Sequence, residues 1–517
     1  MRTLRPLLFL LCLMSGLSLS AQVRYLDEVF ANVVRMDSVV YGNNVSVLLQ
    51  AQQDLIMDIY MPDGDTATDR PVVIMFATGN FLPAILNGAP SGTIKDSIIV
   101  EICTRLAKRG YVVAATFNRQ GWDALNPSQE IQTATLLQAA YRGIIDARTA
   151  VRFMRKTVAE DGNPYGINPD KIVVGGEGTG GYISLGAAFF DDYSKVLLPK
   201  FTDFNTGLPY VDTTVHGNIY GTNLTAQNIP NHVGYSSEFN MVFNIGGALG
   251  DSSWMDPGDM PVVSFHTPQD PNAPYEIGVV IVPTTGNTVI DQAAGSYTVA
   301  EIANTFGNND VFVNAGFSDP FTTAANTLNG GNEGIFPFNR PFTPGDYTCT
   351  NGATLPLVPE GSPWSWWNEA AFIATWDFAT GGTPFPGVIA NCRQRASNPD
   401  MSPEKGRIYV DSIMGYLVPR MNVALELNTT SIQNRLLAEQ LELHPNPTQG
   451  TFTVAHRLAT QPLRQVEVLD LTGRQVFRAQ GLKAQTYTAT LPPLPAGLYL
   501  VRVRTDKAQT TLRLQVQ

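Results

Sequence analysis

The sequence predicts an α/β protein, a mostly parallel sheet covered by helices and carrying cap insertions, followed by a small all-β sandwich. Three observations predict it. Between residues 51 and 190 short β-rich runs alternate with helical patterns, as a parallel sheet requires, because each crossover between parallel strands carries a covering helix. The stretches 191–240 and 270–365 are rich in small polar residues without sustained periodicity, which reads as insertion or cap over a sheet edge. Beyond residue 440 the texture changes to short alternating strands separated by Gly- and Pro-rich turns.

The elements follow in order. Leu55 to Tyr60, Val72 to Phe76, Val112 to Phe117, Ile172 to Gly176 and Val262 to His266 are the predicted strands of the body. Ile98, Ile99, Ile102, Cys103 and Leu106 form a stripe at helical spacing that ends at Gly110, a favourable residue just past a helix. Leu137, Ala140, Ile144, Ala147, Val151 and Met154 recur at steps of three and four, so that segment is an amphipathic helix laid on the sheet. Arg407 to Val418 has helical spacing and is expected to stop at Pro419. In the sandwich the expected strands are Thr451 to Val454, Val466 to Leu469, Tyr487 to Leu491, Leu498 to Val503 and Thr511 to Val516.

At the N-terminus Arg2 and Arg5 precede the apolar run Leu7 to Leu13, and small polar residues follow. This is the layout of a secretory signal peptide over residues 1–21, cleaved near Ala21. The alternative is a transmembrane anchor, but the run is well short of the roughly 20 apolar residues that cross a bilayer. Leu11 stands before Cys12 where a lipoprotein signal wants a small residue. Export places the cysteines in an oxidising compartment. Cys103 falls on its helical stripe and reads as a buried thiol, whereas Cys349 and Cys392 lie in loop-rich sequence and are the natural disulfide pair, with two free thiols as the alternative. No His/Cys cluster has metal-ligand spacing, and no cofactor is expected.

The formal charge of −11 conceals an asymmetry, since residues 441–517 carry nine Lys/Arg and four Asp/Glu and leave the body acidic. An acidic body is a poor partner for phosphate backbones, so no nucleic-acid binding is expected. No later stretch is long and apolar enough to span a membrane.

The C-terminal motifs HPNPTQGTFTV, VLDLTGRQV, PAGLYLVRV and TTLRLQVQ occur in this order. They closely resemble the type A C-terminal sorting domain of the type IX secretion system. The resemblance implies a Gram-negative source of Bacteroidetes type, passage through the periplasm and outer membrane, a secreted or cell-surface destination, and the secretion machinery as partner of residues 441–517. A carbohydrate-binding or fibronectin-like sandwich is the alternative for the same strand pattern. The resulting division is signal peptide 1–21, body 22–426, polar linker 427–440 and sorting domain 441–517.

In the body, KIVVGGEGTGGYISLGAA has the strand, turn and helix of a nucleophile elbow, in which flanking glycines let a G-x-S-x-G turn lift a serine above the sheet. Here the run is Gly176, Glu177, Gly178, Thr179, Gly180, and Gly178 takes the place of the serine. With PVVIMFATGNF, LAKRGYVVAATFNRQGW, YGINPDKI and MPVVSFHTPQDPNAPY, residues 50–425 resemble the α/β-hydrolase family, most closely its secreted carboxylesterase or lipase-like members. The resemblance implies that Ala77, Thr78, Gly79 and Asn80 replace the usual oxyanion-hole run and that Asp270 matches the triad acid. The histidine should follow the acid, yet His216, His232 and His266 precede Asp270, and His444 and His456 fall in the sorting domain. Nucleophile and base are both absent from their expected stations.

Other roles are weighed beside this one. Thr179 suits an oxyanion amide better than a nucleophile. His216 or His232 reaches the site only if the cap folds over it. His266 suits a structural strand end, and Asp270 also suits a turn residue. Glu177 suits a general acid or base, or a brace for the turn. The group Pro363, Trp364, Ser365, Trp366 and Trp367 lines a cleft or packs in core or cap. The expectation is therefore an exported, catalytically inactive hydrolase-like protein binding a small apolar or ester-like ligand or a surface, the alternative being an active carboxylesterase or lipase-like hydrolase with a non-standard nucleophile.

Overall fold

The computed structural model describes residues 22–517 apart from 85, 282–285, 428–436, 439, 458–461, 471–473 and 506–507. The signal-peptide assignment, Cys12 and most of the linker assignment lie outside the described residues.

The body is built on an eight-stranded sheet: β1 (Val33–Ser46), β2 (Ala51–Pro62), β3 (Arg70–Phe76), β4 (Val112–Thr116), β5 (Ile167–Glu177), β6 (Met241–Ile245), β7 (Val262–His266) and, after the hairpin β8 (Ile277–Ile281) and β9 (Thr288–Ala294), β10 (Ile335–Pro337). Their spatial order is β1-β2-β4-β3-β5-β6-β7-β10. β2 runs antiparallel to both its neighbours and every later pairing is parallel. This order, with the elbow following β5, is that of the α/β-hydrolase fold. β3, β4, β6 and β7 are buried at every position, as expected of parallel strands with helices on both faces.

The helices divide between the two faces. α1 (Ser97–Lys108) packs with the late helix α10 (Pro403–Ala424) on one face, and α2 (Gln129–Ala159) and α3 (Thr179–Phe189) pack on the other. Ser128 caps α2 by accepting the Ile131 N–H, and Glu130 lies in its first turn. The stretch 191–240 is irregular as expected, with only α4 (Thr213–His216) and two short 3₁₀ turns. It lies along α2 and β1, tied by Asn228 to Asn44 and by the Asn231 carbonyl to Arg152, and not over the elbow.

Two expectations are corrected. The stretch 270–365 is not uniformly irregular, because it holds β8 to β10, α5 (Ser296–Thr305), the short helices α6 (Asp310–Val313) and α7 (Pro320–Asn326), and the hairpin β11 (Asp346–Thr348) and β12 (Thr354–Pro356). After α8 (Glu369–Thr380) and α9 (Gly387–Ala396) comes α10 (Pro403–Ala424), which continues through Pro419. Leu417, Val418 and Met421 around the proline are all in the core, and that burial offsets the roughly 3 kcal/mol a proline costs inside a helix. Cys349 and Cys392 form the expected disulfide, fastening α9 to the loop after β11, and Cys103 is a buried free thiol.

The C-terminal part is two antiparallel sheets, one of β13 (Leu441–His444), β14 (Thr451–His456) and β17 (Thr486–Thr490), the other of β15 (Leu463–Leu469), β16 (Gln475–Ala484), β18 (Gly497–Arg504) and β19 (Gln509–Val516). Their inner faces share one apolar core that includes Phe452, Val466, Tyr499 and Leu514.

On α2, Asp146 receives the Arg119 backbone N–H at 2.7 Å and the Arg119 Nε at 2.9 Å, and both side chains are fully excluded from water. Replacing Asp146 by Ala leaves a buried guanidinium without its counter-charge. The expected cost is about 3–5 kcal/mol, read as a lowered denaturation midpoint with unchanged cooperativity.

Candidate functional site

The sheet ends in a sharp turn at Gly178, whose φ of 56° and ψ of −118° place it between β5 and α3. Only glycine enters this region without strain. A Cβ on Gly176 would lie 2.1 Å from the Gly180 backbone, and one on Gly180 would lie 2.2 Å from the Phe76 carbonyl oxygen. Strand, turn and helix therefore meet backbone to backbone, which is the physical content of the glycine-rich run.

Gly178 itself meets Thr78, a residue of the run expected in place of the oxyanion-hole loop. A Cβ placed on it would fall 2.1 Å from Thr78 Oγ1 and 2.7 Å from Thr78 Cβ. The Thr78 side chain occupies the volume a serine would need. The Thr179 N–H faces this hydroxyl at 3.4 Å, so the amide considered as an oxyanion donor already has an oxygen in front of it.

Glu177, the residue before the turn, is buried and points away from water. Its Oε1 accepts the Trp364 indole N–H at 3.1 Å, and Oε2 has no hydrogen-bond partner among the described residues. Burial pushes its carboxyl up to about 7. Trp364 itself is fully buried against the core, Trp367 donates to Asn391, and Trp366 packs beside Gly406.

Asp270 sits in the turn after β7, where Oδ1 accepts the Asn272 N–H at 2.7 Å. Gly361 packs directly over it, since a Cβ there would be 2.5 Å from Oδ1. Burial also pushes this carboxyl up to about 7. His266 Nε2 is 3.5 Å from Asp270 Oδ2, but Nδ1 is 2.6 Å from Ser296 Oγ and the ring is fully buried. Desolvation lowers its pKa to about 4, so the imidazole is neutral and sealed at the strand end.

The remaining body histidines are held elsewhere. His216 Nδ1 is 2.9 Å from the Asp212 carbonyl oxygen, and His232 Nε2 is 2.7 Å from the Tyr41 carbonyl oxygen. The structure thus brings Thr78, Glu177, Gly178 and Thr179 together and keeps His216 and His232 in the side insertion. Among the described residues no group of His, Cys, Asp and Glu could hold a metal ion, and no helix is long and apolar enough to cross a membrane.

Residues 442–517 match the family model of the secretion system C-terminal sorting domain. The chain carries a type IX sorting domain. That domain directs the protein to the cell surface or the extracellular space. No curated protein matches the chain. Among solved structures, Thermogutta terrifontis esterase 2 phosphorylated by paraoxon is 17% identical, covering 59% of this chain and 82% of that one with a TM-score of 0.31. The apo form of Thermogutta terrifontis esterase 2 is 18% identical over 55% of this chain and 96% of that one, with a TM-score of 0.30.

Glu177 and Asp270 both hold their protons more tightly in the folded protein than in the unfolded chain, where such carboxyls titrate near pH 4. Their contribution to stability is therefore full below about pH 4, falls as pH rises to about 7, and is flat above. Glu177→Gln should raise the unfolding free energy at pH 8 by roughly 3–4 kcal/mol, at about 1.4 kcal/mol per pKa unit, and leave it nearly unchanged at pH 4. Midpoints measured across this range check the sign.

Proposed function

We propose that this is an exported binding or surface protein built on an α/β-hydrolase-like body in which the hydrolytic triad is not assembled. The signal peptide over 1–21 starts its export, and residues 441–517 engage the type IX secretion machinery for passage across the periplasm and outer membrane of a Gram-negative cell. The observation that carries the reading is the filling of the nucleophile's place by Thr78. With no side chain on the turn and His266 held by Ser296, proton-coupled attack on a carbonyl has neither its nucleophile nor its base. What such a site retains is at best the roughly 10³- to 10⁴-fold that binding and oxyanion donors supply. The cleft over Gly178 then serves a small apolar or ester-like ligand, or a partner surface.

A second reading has one observation in its favour. Thr78 places a hydroxyl over the elbow within reach of the Thr179 amide, and Glu177 titrates near neutrality, so an active esterase using Thr78 is the competing assignment.

Turnover of p-nitrophenyl butyrate by the full chain separates the two. The binding reading expects no more than that residual acceleration, unchanged in Thr78→Ala. It also expects no gain in Gly178→Ser, alone or with Thr78→Gly to clear the space, because the base is still missing. Rapid wild-type turnover lost in Thr78→Ala or Glu177→Gln would establish the enzyme instead.

A further inference from the structure

On the α2 and α3 face of the sheet an apolar cavity of about 70 Å³ lies between Leu137 and Ile144 of α2, Phe190 just after α3, Phe201 of the insertion, and Trp254. None of Thr78, Gly178 and Asp270 lines it. Protein interiors are close-packed, and one water needs only about 10–15 Å³ of such space, so this void is several waters in size. Its walls carry no charged side chain.

The surrounding hydrogen bonds hold the void open without entering it. The Trp254 indole N–H donates to the Lys195 carbonyl at 2.9 Å, Tyr193 OH to the Val211 carbonyl at 2.7 Å, and Gln138 to the Tyr210 carbonyl at 2.9 Å. Within the wall, Tyr141 OH is committed to the Gly217 carbonyl at 2.8 Å. Tyr182, in the first turn of α3, is different. It lines the cavity, and its hydroxyl is shielded from solvent and has no hydrogen-bond partner among the described residues. Buried hydroxyls are rarely left in that state, and this one belongs to a residue that lines an apolar cavity roomy enough for a small molecule.

We propose that this cavity binds a small, neutral, largely apolar molecule of single-ring size whose one polar atom pairs with the Tyr182 hydroxyl, a simple phenol being the matching class. Aromatic walls supply most of the contact area and give offset or edge-on packing to a ring. No charged side chain lines the wall, and Asp270 acts on the Tyr182 hydroxyl from outside the lining, so a carboxylate of the same size would shed its hydration unpaired and meet a like charge.

The test titrates the full chain with p-cresol and with toluene, followed by ligand-observed NMR. The wild type should bind both, p-cresol about tenfold more tightly, as one hydrogen bond warrants. Tyr182→Phe should bring p-cresol to the affinity of toluene and leave toluene unchanged. Ala140→Phe, which fills the void from α2, should abolish both, and Ala140→Leu, the milder change, should weaken both at least fivefold while melting as the wild type does. No binding of either molecule to the wild type, binding that survives the filled cavity, or a p-cresol affinity indifferent to Tyr182→Phe would each overturn the proposal. The readout is binding at residues other than Thr78, Gly178 and Asp270, so its failure and that of the ester assay are distinguishable.

Discussion

Three backbone segments, the end of β5, the start of α3 and the end of β3, approach one another at Gly176 and Gly180, on either side of Gly178, too closely for any side chain to stand between them. The turn's left-handed φ follows from this convergence, and so does the position of everything around it. Thr78 is pressed over the turn because its loop must pass there, and Glu177 is driven below the surface because the bend leaves it nowhere else to point. A hydrolase of this fold uses the same convergence to raise a serine into a cleft. Here the turn is capped by a threonine, and the strain-bearing position carries no reactive group.

The flank of the molecule is held by a different device. The insertion 191–240 has almost no regular structure and accordingly leaves many carbonyls without ladder partners. α2 supplies them with donors. Arg148 bonds the carbonyls of Ile219 and Phe190, Arg152 those of Tyr220 and Asn231, and Arg155 that of Ser236. Guanidinium groups suit the task because each offers several N–H donors in a rigid fork. Their burial is costly, and the carbonyls they serve would be equally costly if left bare. The two penalties are removed together, which is how an irregular segment is fastened to a regular one.

The parts of this architecture legible in the sequence are those decided locally. β7 matches Val262–His266, and the stripe through Cys103 matches α1, because burial on one or both faces imposes a short-range pattern. β6 was missed, since Met241–Ile245 is a short run with an internal Asn and offers no period. β1 was missed because only part of it is buried and its pairing with β2 slips at bulges near Met36 and Val40. The glycine-rich turn and the absence of its serine were readable directly. Thr78 was not, although its loop had been singled out, because its meeting with Gly178 joins residues 100 apart, and nothing in either segment announces the other. The same holds for Trp364 against Glu177 and Ser296 against His266.

The cysteines of the body bear on how the chain matures after export. Cys103, Cys349 and Cys392 allow three pairings, of which one is native. Once α1 docks, the Cys103 thiol is enclosed among Ile99, Ile102 and Leu106, and desolvation raises its pKa well above the usual thiol range, leaving almost no thiolate to attack a disulfide. Packing of a single helix thus acts as proofreading for oxidation: a chain that assembles its sheet before meeting an oxidant has only one pair of sulfurs left to join.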